Sequence, residues 1–397
     1  MRTVPWGLGE AAAAEVLRAL RFRFHKWDTY ACGQCLVLPE ALVLTRAEHE
    51  RVVAVVEALH GALGRLEARV RREPELLAYL GIPAPLHPLL AEEPETELQL
   101  TRYDLFPTGD GRLMVSEFNE DVPGGFNEAV GLPRLLSGAF PGLEFAGDLA
   151  AAFAAAFAGR ERVALMYATA YSEDLQHMLA LEDWLGAAGH RTVLCSPEHL
   201  ERRRGRPAVM GEPVDAAFRF FPGEWMPRLP NFRLWRRLGP RLPMMNPLYR
   251  LVRQSKKVFA LWRRPGLVDD ADRAVLDRHG PFTEELDPAE LPRLVAERER
   301  WVIKHAFGRM GENVVVGDLE SDESWRRALA EALPAAREHA LQERFPVAPL
   351  DFAGGPLYPA VGAFLVNGRF AGYYSRAAAR PFLNHEAYHV ATLVEAA

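Results

Sequence analysis

Between Ala47 and Arg72 the apolar residues Val52, Val53, Val56, Leu59, Leu63 and Leu66 recur at three- and four-residue steps, which gathers them on one face of an α-helix. On this pattern the chain from about Leu8 to Arg72 reads as mainly helical, and Pro83, Pro85 and Pro88 mark a connection after it. From Leu100 the period shortens to two. Leu100 to Asn119 alternates about Asp110-Gly111, a dipeptide suited to the positive φ angles of a two-residue hairpin loop. Arg162-Val-Ala-Leu-Met-Tyr167 is an unbroken apolar run of strand length, Ser172-Glu-Asp174 opens a helix to about Ala188, and Arg191-Thr-Val-Leu-Cys195 returns as a strand. That order predicts a parallel strand-helix-strand unit, extended by a strand at Val214–Phe221. A helix is expected from about Leu248 to Trp262, with Arg253, Lys256 and Lys257 on a solvated face. Trp301–Lys304 forms a strand that enters a glycine-rich turn, and Val314–Val316 leaves it. Glu323–Leu341 reads as a helix interrupted by Pro334, and Val361–Val366 and Arg369–Tyr374 flank Asn367-Gly368, a second hairpin signal.

The first hairpin carries chemistry on one face. With Asp110-Gly111 as the loop, Gly109 faces Arg112, Asp104 faces Glu117 and Arg102 faces Asn119. Side chains alternate along a strand, so these four share a side of the sheet. Facing carboxylates destabilise a sheet by roughly 0.2–1 kcal/mol unless a cation lies between them. Asp104, Glu117 and Asn119 are oxygen ligands of the kind a hard cation such as Mg²⁺ takes while sharing its other positions with phosphates, and Arg102 would contact the same phosphates. The alternative is a hairpin whose polar face meets solvent, with Arg102 neutralising the two acids.

Composition narrows the class. A chain of 397 residues exceeds the usual single core, so several subdomains around a shared cleft are expected. The pattern divides it into a mainly helical region at 1–98, the hairpin and following helix at 99–160, the strand-helix-strand subdomain at 161–245, and the lysines, glycine-rich loop and late strands at 246–397. Lys and Arg total 47 against 53 Asp and Glu, a net charge of −6 that offers no broad footprint for nucleic acid or an anionic membrane. Three cysteines, an odd number, fit a reducing compartment. Cys32-Gly-Gln-Cys35 has the spacing of a redox or zinc pair, but no second Cys or His pair follows at zinc-site distance. The first ten residues lack the apolar core of a signal peptide, and the apolar run at Leu149–Ala158 is too short to span a bilayer, so a cytoplasmic location is expected.

A second constellation lies at Lys304-His-Ala-Phe-Gly-Arg-Met-Gly-Glu-Asn313. A lysine ends an apolar strand and Gly308 and Gly311 follow with Arg309 between them, an arrangement that lays backbone N–H groups over an anion the lysine also reaches. It has neither the Walker A nor the G-x-G-x-x-G spacing. Lys257, Arg376 beyond the Asn-Gly hairpin, and Gln342-Glu343 on a strand edge gain meaning only beside it.

The ordered set Arg102-x-Asp104, Glu117-x-Asn119, Lys257, Lys304 with Gly308-Arg309-x-Gly311-x-Asn313, Gln342-Glu343 and Ala371-Gly372-x-x-x-Arg376 resembles the synthetase domain of the glutathionylspermidine synthase family. These are ATP-grasp ligases in which the order of the ATP-grasp elements is circularly permuted. The resemblance runs from about His25-Lys-Trp-Asp28 to near the C-terminus. It implies an α+β, ATP-grasp-like fold with a pre-ATP-grasp-like strand-helix-strand subdomain, and ATP and Mg²⁺ as cofactors. By it Asp104, Glu117 and Asn119 are magnesium ligands, Ser255-Lys-Lys257 and Lys304 provide two ATP lysines, and Gln342-Glu343 lies against adenine. Arg102 and Arg376 take the catalytic place near the γ-phosphate. The implied reaction phosphorylates a carboxylate, and an amine then attacks the acyl phosphate to give an amide, ADP and phosphate. The chain departs from the family where Glu120-Asp-Val-Pro-Gly-Gly-Phe126 replaces the small hydroxyl residues that hold glutathione, at His305, and at Ala377-Ala378. Glutathione and spermidine are therefore not the expected substrates, and Glu224 is a candidate for holding another amine. Two other readings stand beside the ligase: a nucleotide-binding scaffold without ligation, and a glycosidase using Asp104 and Glu117.

Overall fold

The alternating stretch after Leu100 forms a hairpin at the edge of the largest sheet. The computed structural model describes residues 1–31, 33–309 and 314–396. Leu113–Asn119 and Leu100–Pro107 pair antiparallel, and the sheet continues through Gly355–Val366, Ser375–Ala378, Tyr388–Glu395 and Val37–Leu44 to Arg2–Pro5. The neighbours in this order are antiparallel except Tyr388–Glu395 and Val37–Leu44, which run parallel. Asn367 and Gly368 sit at φ +52° and +75° between the paired residues Val366 and Arg369, the two-residue turn that their sequence predicts.

Helices Glu10–Arg23 and Arg46–Val70 occupy the N-terminal region as expected, the second opened by a capping box of Thr45 and Glu48. Val37–Leu44 corrects the mainly helical reading of the stretch between them. It is a strand buried along most of its length, inserted between Arg2–Pro5 and Tyr388–Glu395, and burial on both sides erases the alternation that would have announced it.

A second sheet is parallel, in the order Met244–Met245, Ala216–Phe220, Arg162–Tyr167, Arg191–Cys195, with helix Ser172–Ala187 as a crossover. This is the strand-helix-strand subdomain. A third sheet is antiparallel, in the order Thr283–Glu285, His339–Glu343, Trp301–His305, Val314–Val316, and helix Asp322–Ala332 packs on it through Trp325 and Leu329 against Trp301 and Leu341. Two helix expectations need correcting around it. The helix from Asp322 ends at Ala332, Pro334 lies in a tighter turn, and His339–Glu343 is a strand. Leu248–Trp262 is two short helices, Leu251–Gln254 and Val258–Leu261, parted at Ser255, whose φ of −62° and ψ of 125° are extended. Helices and separate sheets together make the fold α+β. Among the described residues no helix is long and apolar enough to cross a membrane.

Candidate active site

The hairpin turn has three residues, not two. Thr108 N–H donates to Arg112 O at 3.0 Å, Gly111 N–H donates to Thr108 O at 2.9 Å, and Gly111 takes φ +79°. The loop is thus Gly109-Asp110-Gly111, and Arg112 faces Thr108 rather than Gly109. Pairing then runs Pro107 with Leu113, Phe106 with Met114 and Leu105 with Val115, one residue out of the expected register. Carried on, that slip would turn Glu117 and Asn119 to the other side of the sheet. A bulge prevents it: Ser116 and Glu117 together oppose Asp104, after which Tyr103 pairs with Phe118 and Arg102 with Asn119. Arg102 faces Asn119 as expected, whereas Asp104 does not lie squarely opposite Glu117.

The four side chains are brought together with Arg376 from Ser375–Ala378, the next strand but one in the sheet. Arg102 grips Asp104 with Nε on Oδ1 at 2.9 Å and Nη2 on Oδ2 at 3.0 Å, Arg376 Nη2 reaches Oδ2 at 2.8 Å, and Asn119 Nδ2 donates to the same oxygen at 3.3 Å. Glu117 Oε2 lies 3.2 Å from Lys256 Nζ. Burial raises the Glu117 carboxyl, but Lys256 and Lys304 outweigh it and hold the group down at about 2. Each acid therefore has its own cation, which overturns the argument that the hairpin alone demands a metal. Among the described residues no three His, Cys, Asp or Glu side chains form a metal-holding cluster. Ion pairing of both acids also removes the free carboxylate pair a glycosidase would need.

Lys304 enters from the third sheet. Its Nζ donates to Ser116 O at 2.9 Å and to Gln342 Oε1 at 2.7 Å, so the bulge residue fastens the third sheet to the hairpin. Burial pushes the Lys304 ammonium down to about 7, with Glu117 opposing the shift and Lys256 adding to it. Lys256 is the member of this charge cluster that sequence reasoning missed. The break at Ser255 turns it inward, where it is buried and its Nζ donates to Gly308 O at 2.7 Å. The solvated-face reading is corrected for Arg253 too, which is buried against Glu67 at 2.7 Å.

The other expected residues are spread around this centre. Lys257 Nζ donates to Arg337 O at 2.9 Å and lies 4.3 Å from the Tyr79 ring centroid, and burial lowers its pKa. Gln342 contacts Lys304, and Glu343 pairs with Arg300 at 3.1 Å. Their strand is internal, not an edge: Trp301–His305 flanks one side and Thr283–Glu285 the other, and Glu343 N–H is taken by Phe282 O at 2.7 Å. Arg309 spans Asp121 at 3.1 Å and Glu224 Oε2 at 2.9 Å, so the candidate amine holder Glu224 already has a cation. Asp121 also meets Arg219 at 2.6 Å and accepts from Gly223 N–H at 3.0 Å. The segment after Asn119, where the chain departs from the family it resembles, thus joins the hairpin, the parallel sheet and the glycine-bearing loop. Gly311 and Asn313, like Cys32 of the Cys32/Cys35 spacing, lie outside the described residues.

Four basic side chains, Arg102, Arg376, Lys256 and Lys304, thus surround two carboxylates, Asp104 and Glu117, beside a glycine-bearing loop, a surplus of two positive charges while Lys304 holds its proton and of one when it does not. Such a surplus of positive charge favours an anion. A family model described as glutathionylspermidine synthase preATP-grasp matches residues 11–395, and the chain belongs to that family. This places it among the ligases, with the ATP-grasp-like α+β fold expected. The chain is also similar to a crystal structure from Methylobacillus flagellatus KT described as a "Putative gamma-glutamylcysteine synthetase", at 15% identity and a TM-score of 0.48 over 83% of this chain and 88% of that one. No curated protein matches the chain.

Proposed function

We propose that the chain is an ATP- and Mg²⁺-dependent carboxylate-amine ligase that forms an amide through an acyl phosphate. The observation that carries this reading is the cation surplus, contributed by the hairpin, the strand Ser375–Ala378, the Ser255 break and the third sheet around one face. Phosphoryl transfer asks a protein mainly for positioning and charge neutralisation, which this set supplies. The oxygen donors Asp104, Glu117 and Asn119 suit magnesium, and they would hold the ion, which when bound offsets phosphate charge and orients the terminal phosphates. Arg102 and Arg376 both lie over the Tyr374 ring, at 5.1 and 5.6 Å, which aims them together at the γ-phosphate and at the charge that develops on transfer. Lys304, Lys257, Gly308 and Arg309 frame the phosphate chain, a role the resemblance also gives Gly311, and Gln342-Glu343 lines the adenine side.

In the reaction the substrate carboxylate oxygen attacks the γ-phosphorus and ADP leaves. The amine nitrogen then attacks the acyl carbon, loses a proton, and phosphate leaves as the C–N bond forms. No protein nucleophile is required. The buried Glu120-Asp121 segment and the engaged Glu224 support small carboxylate and amine substrates other than glutathione and spermidine. The net charge of −6 and the first ten residues support a cytoplasmic enzyme without a nucleic-acid or membrane partner. A catalytically silent nucleotide-binding scaffold would keep the lysines but has no use for two arginines on Asp104, and this favours the enzyme. The deciding experiment screens paired carboxylates and amines with MgATP for ADP and phosphate release. Release that needs both members of a pair supports the ligase; nucleotide binding with no release from any pair supports the scaffold.

A further inference from the structure

Arg102 sits on Asp104 through Nε and Nη2, and its remaining nitrogen is placed by a corner of the main chain: Nη1 donates to the carbonyl oxygen of Gly124. Guanidinium nitrogens share one plane, so a fixed carbonyl on Nη1 holds the whole fork in one orientation. The Gly124-Gly125 corner is itself clamped from two sides. On one, the Gly125 N–H donates to His177 Nε2 at 2.9 Å. On the other, the Tyr374 ring lies so close that a Cβ at position 125 would stand 2.6 Å from it, and Gly125 takes φ +97°. Glycine alone meets both demands.

His177 comes from another part of the molecule, the crossover helix Ser172–Ala187 of the parallel sheet. Because Nε2 accepts, the ring carries its proton on Nδ1, which donates to Glu173 O at 2.7 Å, one turn back in the same helix. The Phe126 and Phe220 rings, with centroids at 5.2 and 5.1 Å, fix the plane of the imidazole. A side chain held this closely therefore presents its one acceptor to a single N–H of the segment where the chain departs from its family. The line of contacts is unbroken from Glu173 O through His177, Gly125 and Gly124 O to Arg102 and Asp104.

We propose that His177 is a positioning residue for the ligase reaction: as a neutral acceptor it seats the Gly124-Gly125 corner, and through Gly124 O it aims Arg102 at the nucleotide phosphates. This gives the parallel-sheet subdomain a part in phosphate binding. It rests on the proposed reading in one respect, that the open face of the hairpin binds a nucleotide.

The test measures binding of adenylyl imidodiphosphate with Mg²⁺ to the full chain by calorimetry, with thermal unfolding of each variant alongside. His177→Leu removes the acceptor, and His177→Asn keeps a donor for Glu173 O while falling short of Gly125. Each should weaken binding about fivefold or more, the loss of one hydrogen bond at the site. His177→Gln, whose Oε1 stands as many bonds from Cα as Nε2 does, should restore binding to within about twofold of wild type. In an Arg102→Met background His177→Leu should add less than about twofold, because the histidine acts through that arginine. An undiminished effect of His177→Leu in that background, or wild-type affinity in a folded His177→Leu, overturns the proposal. Where His177→Leu fails to fold, His177→Asn set against His177→Gln decides in the same way. Failure of the wild type to bind the analogue overturns the proposal together with the nucleotide reading, whereas wild-type binding that no His177 variant alters overturns the His177 role alone.

Discussion

The two faces of the carboxylate hairpin bear charge clusters of opposite design. On one face Asp104 and Glu117 meet Arg102, Arg376, Lys256 and Lys304, and Glu117 and Arg376 keep part of their surface open. On the other, Tyr103 and Glu120, the neighbours of Asp104 and Asn119, meet Arg250 and Arg253, which also bind Glu67. There two arginines answer two glutamates, and Tyr103, Glu120 and Arg250 are fully buried. His60 beside them is held neutral, its pKa lowered to about 3 by burial and by Arg253. Balanced, closed charges are settled within the protein and serve the fold. The charges of the open face are unbalanced, and on the proposed reading a ligand completes them.

The largest expected effect separates the faces by stability. Arg253→Ala leaves the buried Glu67 and Glu120 to share Arg250 alone, two carboxylates on one cation, and should cost about 3–5 kcal/mol in urea unfolding. Arg376→Ala should cost about 1 kcal/mol or less, because Arg102 keeps Asp104 paired. Equal losses would erase the distinction. The next effect reverses the order: Arg376→Ala should weaken nucleotide binding about tenfold or more by calorimetry, the loss of one charge-assisted contact. Tyr103→Phe, on the closed face, should leave that affinity unchanged.

A pH series sharpens the contrast further. The free Lys304 ammonium titrates near 7, and a bound polyphosphate raises that value, so the complex holds the extra proton above pH 7. Affinity should be level below pH 7 and fall by up to about tenfold per pH unit above it, and Lys304→Met should flatten the fall. The smallest effect concerns acid. Glu117 has its carboxyl lowered from the ordinary 4.5 to about 2, so its contribution to stability is present above pH 4.5 and is lost as pH falls through about 2. Glu117→Gln should give a shallower loss of stability over that window in thermal unfolding.

The parallel strand-helix-strand unit was legible because buried strands read as unbroken apolar runs between clear turns. The opposition of Arg102 and Asn119 was legible through two cancelling departures, an added loop residue and a bulge at Ser116-Glu117, and nothing in an alternating pattern announces a bulge. Lys256 stayed hidden because helical spacing continues through the break at Ser255, so an inward ammonium was indistinguishable from a surface one. Val37–Leu44 was hidden by burial on both sides, and the internal place of His339–Glu343 depends on pairing with Thr283–Glu285 far off in sequence. Residue types and order identified the family; which cation sits on which acid is a property of tertiary packing.

The central claim is that the open face of the hairpin binds a nucleotide with magnesium. Thermal unfolding of the full chain with a non-hydrolysable ATP analogue, with and without Mg²⁺, tests it most directly, with Glu117→Ala measured in parallel. The account predicts a rise in Tm that grows when Mg²⁺ is added, and a Glu117→Ala protein whose response no longer depends on Mg²⁺. Absence of any shift with any nucleotide, with or without Mg²⁺, would contradict it.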